Sequence, residues 1–464
     1  MNHIIWMAAL VLTAATWSAC SNKEDITVTE EPAQARTFTV TTTLSPRGGA
    51  KTRSTMTDNG DGSITATWEV NDQIWVSYTN TSDAQATTTA TVTAVNPSTK
   101  AATITVTLTD PKNGGDITFG YPLSHWNGTT DPDTDQIGTL ADINANHASI
   151  SGNGTLTVSG SNVTLPAVTM NPEMCIWKFS FTDGSSNITN AITKLVINFP
   201  DNGITYAVTP SSQSNIYVAM YGDVINAKPI SITATTSTSV YRKTAASVTL
   251  AKGKMYTTTG LALKKAEVGK VIGADGNIYD NATAATTAGT TARAMITYVG
   301  SDNCESSPYN HGLALAMSDA NDGSNCAWTT SSGSTVHSQT CSTSSFTSES
   351  GLQYNATQDS NTYPAFKYAI DNNGTAAPTS CSAWFLASGY QWDQMISAAG
   401  SYNALRDGFS GVGGTNMQGV PYWSSTEDSG YYAWTYYFFS GYGGGKWNKY
   451  SKVDGYYVRS ALAF

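Results

Sequence analysis

Apolar and polar residues alternate one by one along much of the first 265 residues. Between Ala102 and Thr109, Ile104, Val106 and Leu108 fall on one side and threonines on the other, the period-two signature of a half-buried strand. The alternation recurs at Leu156-Thr157-Val158, Val163-Thr164-Leu165, Ile230-Ser231-Ile232 and Val248-Thr249-Leu250. Turn clusters such as Asp58-Asn59-Gly60-Asp61-Gly62 and Lys112-Asn113-Gly114-Gly115 separate the runs. Many short strands with polar turns predict β-sandwiches. After a short linker at 265–269 the pattern changes. Ser388-Gly389-Tyr390-Gln391 has the form of a capping box, with Trp392, Met395 and Ile396 at helical spacing behind it, and Tyr363, Phe366 and Ile370 mark a second amphipathic helix. The expected fold is mainly β: β-sandwiches up to about residue 265, then an α+β domain over 268–464.

Charged residues make up 12% of the 464 and the formal net charge is −10. An acidic chain without Lys/Arg clusters argues against nucleic acid as a partner. The apolar run over 4–16 has the length of a signal-peptide core and is too short to span a bilayer comfortably. Trp17-Ser18-Ala19-Cys20 follows and resembles a lipobox, implying a signal peptide over 1–19, a lipid on Cys20 and a tether over 20–36. The alternative is an ordinary signal peptide with a chance cysteine. Ser21-Asn22-Lys23-Glu24-Asp25 resembles the surface-export signal of lipoproteins from fimbriated Gram-negative anaerobes. The membrane is then a partner only through the lipid anchor. Cys175 reads as a buried small hydrophobe. Cys304, Cys326, Cys341 and Cys381 allow three pairings in an oxidising compartment.

Thr67-Trp68-Glu69-Val70-Asn71-Asp72-Gln73-Ile74-Trp75-Val76 resembles a strand pair of fimbrillin (Mfa-like) proteins, with Lys51-Thr52-Arg53 ahead of it. Gln136-Ile137-Gly138-Thr139-Leu140-Ala141-Asp142-Ile143 resembles the family's Q-x-G-T-L-x-D segment, and the runs 215–220 and 250–256 resemble its closing strands. The resemblance covers 37–264. It implies two tandem transthyretin-like β-sandwiches, over 37–152 and 153–265, assembly with other fimbrillin-family pilus subunits by strand addition, and removal of the first strand by an arginine-directed protease. Thr37 to Leu44 alternates, and Arg47 or Arg53 would be the processing site; solvated loop arginines are the alternative.

Trp384-Phe385-Leu386-Ala387-Ser388, Gln391-Trp392, Tyr422-Trp423-Ser424-Ser425-Thr426-Glu427, Ala433-Trp434 and Tyr457-Val458-Arg459 with Leu462-Ala463-Phe464 resemble the C-type-lectin-like fold of retroelement-diversified variable proteins. Residues 428–456 between these framework runs are mostly Tyr, Gly, Ser, Asp, Asn and Lys, the composition of a paratope. The candidate ligand-binding residues are Asp428, Tyr431, Tyr432, Thr435, Tyr437, Phe439, Tyr442, Trp447, Asn448, Tyr450, Asp454 and Tyr456. Trp434, Tyr436 and Phe438 should share the core face, leaving Thr435, Tyr437 and Phe439 outward. Randomised adenines in an Asn codon yield Tyr, Ser, Asp, Gly or Phe but not Lys or Trp, so Lys446, Trp447, Lys449 and Lys452 are framework or come from other codons. A Tyr/Gly-rich structural loop without a ligand is the bland alternative.

The five histidines share no metal-ligand spacing, and no G-x-S-x-G, H-E-x-x-H or Walker segment occurs. Trp447-Asn448 is followed by Lys449, unlike the acid that completes a calcium-dependent sugar site. No catalytic residue, metal or cofactor is expected. The leading reading is a cell-surface adhesin at a pilus tip with a protein or glycan ligand. It would be terminal because 458–464 reads as the closing strand of the last domain, which makes Phe464 a core residue. A surface lipoprotein outside any pilus is the second reading, and an enzyme on the lectin-like fold the third.

Overall fold

The structure is a computed structural model that describes residues 36–46, 56–60, 64–126, 136–221, 225–331, 333, 346–355, 361–439 and 445–464. Residues 1–35, and with them the expected signal peptide and Cys20, lie outside the described residues, as do Arg47, Arg53 and Tyr442. The fold is mainly β, in three modules. Among the described residues no helix is long and apolar enough to cross a membrane.

The first module comprises β1 (Thr37–Pro46), β2 (Gln73–Thr79), β3 (Gln85–Val95), β4 (Ala102–Thr109), β5 (Asp116–Tyr121), β6 (Ile150–Thr155) and β7 (Val168–Pro172). They form one closed barrel in the order β1-β7-β6-β5-β2-β3-β4. In β4 the alternation does what period two requires: Ile104, Val106 and Leu108 are buried. The Trp68 to Val76 run also has a physical account. Trp68 packs edge-on to Tyr121, and Asn71 turns the chain at φ 78°. An Asp72 carboxylate oxygen accepts the Glu69 amide at 2.8 Å, and Ile74 and Val76 enter the core.

The barrel closes through β1. It runs antiparallel to β4 from Thr37↔Thr109 to Leu44↔Ala102, and parallel to β7 from Leu44↔Val168 to Pro46↔Met170. The split expected near 152 therefore falls inside β6, and the first module runs on to 172. Leu165, Val168 and Met170 belong to its core.

The second module is a two-sheet sandwich. It contains β8 (Met174–Thr182), β9 (Ile192–Phe199), β10 (Ile204–Val208), β11 (Ile216–Tyr221), β12 (Ile225–Thr236), β13 (Val240–Leu250) and β14 (Met255–Ala262). One sheet is β11-β8-β14; the other is β10-β9-β12-β13 with Lys264–Lys265 on its edge. Phe179, Phe181, Leu195, Ile197, Phe199 and Tyr206 fill the space between. Gln136 ties this module to the first. Its amide bonds Ala219 in both directions, to the carbonyl at 2.9 Å and from the N–H at 2.8 Å, with the side chain fully buried.

The third module is α+β. Ile278–Tyr279, β15 (Val271–Gly273), β16 (Ala292–Val299), β17 (Gly312–Ala316), β18 (Phe385–Leu386) and β22 (Ser460–Ala463) make a six-stranded sheet, with β22 between β17 and β18. A three-stranded sheet holds β19 (Pro421–Glu427), β20 (Tyr432–Tyr437) and β21 (Lys446–Ser451) in that order. The helices include α1 (Pro364–Asp371), α2 (Gly389–Ala398) and α3 (Tyr402–Gly411). The Ser388/Gln391 capping box starts α2, which buries Trp392 and Met395. The sequence pattern did not predict α3, which buries only Leu405 and Phe409 along ten residues that include Gly408 and Gly411.

The stretch at 265–269 is not a free linker. Ala266 is buried and its N–H bonds Val240 O at 2.8 Å. Arg242, 1% exposed, crosses from β13 to donate to the carbonyls of Gly276 and Ser380. Gly276 sits at φ +78°, and a Cβ there would come within 2.1 Å of Thr379 O.

Candidate ligand-binding surface

Register fixes the faces of the three-stranded sheet. Tyr436 lies opposite Tyr422 and Trp447; Thr435 lies opposite Trp423 and Asn448. One face, with Tyr422, Tyr436 and Phe438 leading, packs on Trp392 and Phe409. Trp434, Tyr436 and Phe438 are all buried, as their alternation required. The other face is also covered. Trp423 and Ala433 pack with Trp328, Phe366 and Val458, and Tyr450 and Tyr456 lean on that cluster.

Double coverage overturns one expectation. Thr435 does not point outward to solvent: it is fully buried, with its hydroxyl donating to Asn448 O at 3.3 Å. Alternation places Thr435 on the face opposite Tyr436, but it cannot report that a second layer covers that face. Trp447 is likewise drawn in. Its ring packs edge-on to Phe346 and Tyr436, at 4.5 and 5.1 Å between centroids, and its N–H donates to Asp393 at 2.7 Å. Burial raises the Asp393 carboxyl above its ordinary value, against the pull of that bond.

Three of the remaining candidates form one half-buried group. Tyr450 and Tyr456 lie 4.5 Å apart, Tyr456 is edge-on to Trp423 at 5.0 Å, and the Asn448 amide donates to Tyr450 OH at 3.3 Å. Burial, then Tyr450 and Asp454, push the Tyr456 phenol up to about 12. Asp428 pairs with Lys449 at 3.3 Å, with its own side chain only 7% exposed. Asp454 is exposed in the turn after β21.

The outward aromatics sit at the two ends of β20. Tyr431 and Tyr432, 60% and 45% exposed, mark one end. Tyr437 and Phe439 mark the other, their rings stacked at 5.8 Å, with Phe439 42% exposed. Six strand residues at about 3.3 Å each put these pairs roughly 20 Å apart. They cannot line one small pocket; a ligand touching both must be extended. Between them runs β21, which among the described strands pairs with β20 alone and exposes Lys446 and Lys449.

Buried charge supports this surface, and the sequence pattern gave no sign of it. Lys452 and Glu427 form an ion pair with both side chains 0% exposed. The Lys452 ammonium also lies 4.6 Å over the Trp328 ring. The Lys452 backbone N–H bonds Tyr431 O at 3.0 Å, and its backbone carbonyl accepts the Trp328 and Thr329 amides. Arg459 pairs with Asp319 at 2.8 Å, and Tyr422 OH donates to the same carboxylate. Chemistry is sparse here. Cys175, Cys304, Cys326 and Cys381 are free thiols, and Cys341 lies outside the described residues. Burial pushes Cys326 up to about 12 and Cys304 up to about 11. Among the described residues no group of three or more His, Cys, Asp or Glu could hold a metal ion.

No known family model matches the chain, and no curated protein matches it. Among solved structures it is similar to a candidate cell adhesion protein from Bacteroides uniformis, at 12% identity and TM-score 0.30, over 51% of this chain and 98% of the other. It is also similar to a fimbrial assembly protein from Parabacteroides distasonis, at 11% identity and TM-score 0.29, over 49% of this chain and 92% of the other.

Proposed function

We propose that the chain is a surface-displayed adhesin and the terminal subunit of a fimbrillin-type pilus. Its first module accepts a strand from a partner subunit, and its third presents the aromatic ends of β20 to a protein or glycan ligand. The place of β1 carries the reading. Among the described strands it alone joins β4 to β7. Without it, eight residues of β4 become a bare edge, and the positions filled by Val40 and Leu44, 4% and 0% exposed, open to water. Such a groove takes an extended strand with alternating apolar side chains, which satisfies the edge and the pockets together. Arg47 and Arg53 follow β1 directly in the sequence. A cut at either would leave β1, and a lipid on Cys20 with it, attached by noncovalent contacts only.

β22 itself cannot serve as a donated strand. A donor strand must leave its own module, and β22 lies inside a six-stranded sheet. Phe464 is fully buried against Gly312, where a Cβ would come within 2.4 Å of the ring. In this reading the molecule works by binding, and neither Cys304 nor Cys326 serves it as a nucleophile. Thiols held as high as those of Cys304 and Cys326 are scarcely ionised at neutral pH and make poor nucleophiles.

The test is strand exchange on the full chain. Digestion with an arginine-specific protease should expose a new N-terminus after Arg47 or Arg53. A labelled peptide of sequence 37–46 in excess should then replace β1, read by mass spectrometry. A cut chain that stays folded and refuses the peptide overturns the strand-acceptor reading. Intact lipidated chains along purified fimbriae, or antibody to 268–464 decorating the whole shaft, overturn the terminal position.

A further inference from the structure

β21 is the open side of the three-stranded sheet. The other outer strand, β19, is closed along its free side: the Trp423 N–H donates to Tyr457 O at 2.9 Å, the Tyr457 N–H to Pro421 O at 3.2 Å, and the Ser425 N–H to Ala387 O at 2.9 Å. The ladder decides which groups of β21 are left over. In an antiparallel pair the residues of a strand turn their backbone groups alternately towards the partner and away from it. The Lys452 N–H reaches Tyr431 O, and Tyr450, Asn448 and Lys446 share its parity and face β20. Trp447, Lys449 and Ser451 therefore face away. Among the described residues nothing accepts their N–H groups, and nothing donates to the carbonyls of Trp447 and Lys449; the Ser451 carbonyl takes the Asp454 amide at 2.9 Å. No proline and no register shift in β21 spoils a further pairing.

Outward N–H and C=O groups that recur every second residue select another extended backbone, which repeats its own groups at the same interval. Charge narrows the choice. Lys446 is exposed and has no ion-pair partner among the described residues, and Lys449, its side chain 51% exposed, shares only Asp428. The exposed Asp454 lies past Ser451, at the other end of the strand. Lysines on an edge discourage pairing with a second copy, since two such edges would crowd all four lysines into one seam. The same charges admit a guest strand with acidic residues over the Lys446–Lys449 half.

We propose that β21 takes an extended acidic peptide segment of a partner protein as a fourth strand of this sheet. Six paired residues span roughly 20 Å, the separation of the aromatic ends of β20. Apolar side chains at the two ends of the guest then meet Tyr437 and Phe439 on one side and Tyr431 and Tyr432 on the other. The proposal rests on the third module being the ligand-binding one, and it makes the ligand a protein rather than a glycan.

The test uses the uncut full chain, in which β1 fills the first module's groove. It is titrated with a capped peptide of about ten residues alternating Glu and Val, and with a Lys/Val counterpart of the same length. Anisotropy of the labelled peptide reads affinity, and hydrogen exchange by mass spectrometry reads the 446–452 amides. The Glu/Val peptide should bind saturably and slow those amides, with the Lys/Val peptide about tenfold weaker. Lys449→Pro deletes one outward N–H and leaves the ladder with β20 whole, so it should weaken the peptide about tenfold at an unchanged melting temperature. Lys446→Glu with Lys449→Glu should reverse the preference between the two peptides. The proposal is overturned if the Glu/Val peptide leaves exchange over 446–452 unchanged, if folded Lys449→Pro keeps full affinity, or if an oligogalacturonate of similar length slows the same amides equally. Tyr431→Ala with Phe439→Ala tests the aromatic ends apart from the edge: unchanged affinity there would sink their role as ligand contacts and leave the strand pairing standing.

Discussion

Replacing Lys452 by Met removes one half of an ion pair whose two side chains are both shut off from water. Met fills most of the same volume, so the change is chiefly one of charge. Glu427 is left in the interior without the ammonium that faced it, at a cost of about 3–5 kcal/mol. In a module of roughly 200 residues each kcal/mol moves the melting temperature about 2–4 °C, which predicts a fall of about 6–20 °C in the transition of the third module. Glu427→Leu combined with Lys452→Met leaves no buried charge and should recover most of that loss, because well-packed apolar replacements of buried pairs are often neutral. Scanning calorimetry of the full chain for the parent, both single variants and the double closes the cycle. A single variant melting within about 2 °C of the parent would refute the reasoning. So would a double variant that falls by the sum of the two singles, since the coupling would then be absent. The outcome bears on binding too, because the Lys452 N–H holds the carbonyl of the exposed Tyr431.

Tyr431→Ala and Phe439→Ala should each weaken ligand binding by about 2 kcal/mol with the melting temperature nearly unchanged, whereas Thr435→Val, at a buried position, should act on stability and not on affinity; surface plasmon resonance and thermal melts separate the two. Gln136→Leu removes both hydrogen bonds to Ala219 and leaves that buried backbone unpaired, for a loss of about 1–3 kcal/mol by denaturant titration. His311 titrates near 4 when folded and near 6.5 when unfolded, so the unfolded chain takes up a proton that the folded one refuses. Stability should therefore fall as pH drops from 6.5 towards 4, by about 3 kcal/mol across the window. His311→Asn should flatten that slope in urea melts taken at successive pH values.

Local pattern was the legible part of this chain. Alternation at 102–109 located β4 and its buried face, the Ser388/Gln391 box located α2, and Trp434, Tyr436 and Phe438 were assigned to the core from their spacing. The boundary between the first two modules was not legible, because it depends on a parallel pairing of Leu44 with Val168, far apart in sequence. The α3 helix was missed because two apolar anchors in ten residues leave almost no periodic signal. The candidate surface was only half legible. Composition pointed to Tyr431, Tyr432 and Phe439, which are exposed, but also to Thr435 and Trp447, which the layers on either side of β20 and the Asp393 bond draw inward. The buried pairs Lys452–Glu427 and Arg459–Asp319 join residues 25 and 140 positions apart, and no short-range pattern announces them.

The geometry of β1 also says how the first module would bear mechanical load. Its backbone is bonded to β4 over eight opposed residues, with its far end bonded to β7 as well. A pull along the strand axis stresses those bonds side by side, so the strand slides free only if many of them break in one event. A pull across the axis would open them one after another, at far lower force. On the proposed strand-acceptor reading, a strand seated in that groove and pulled along its own axis would be held in the first geometry, and its hold would be set by the rate of that concerted rupture rather than by equilibrium affinity.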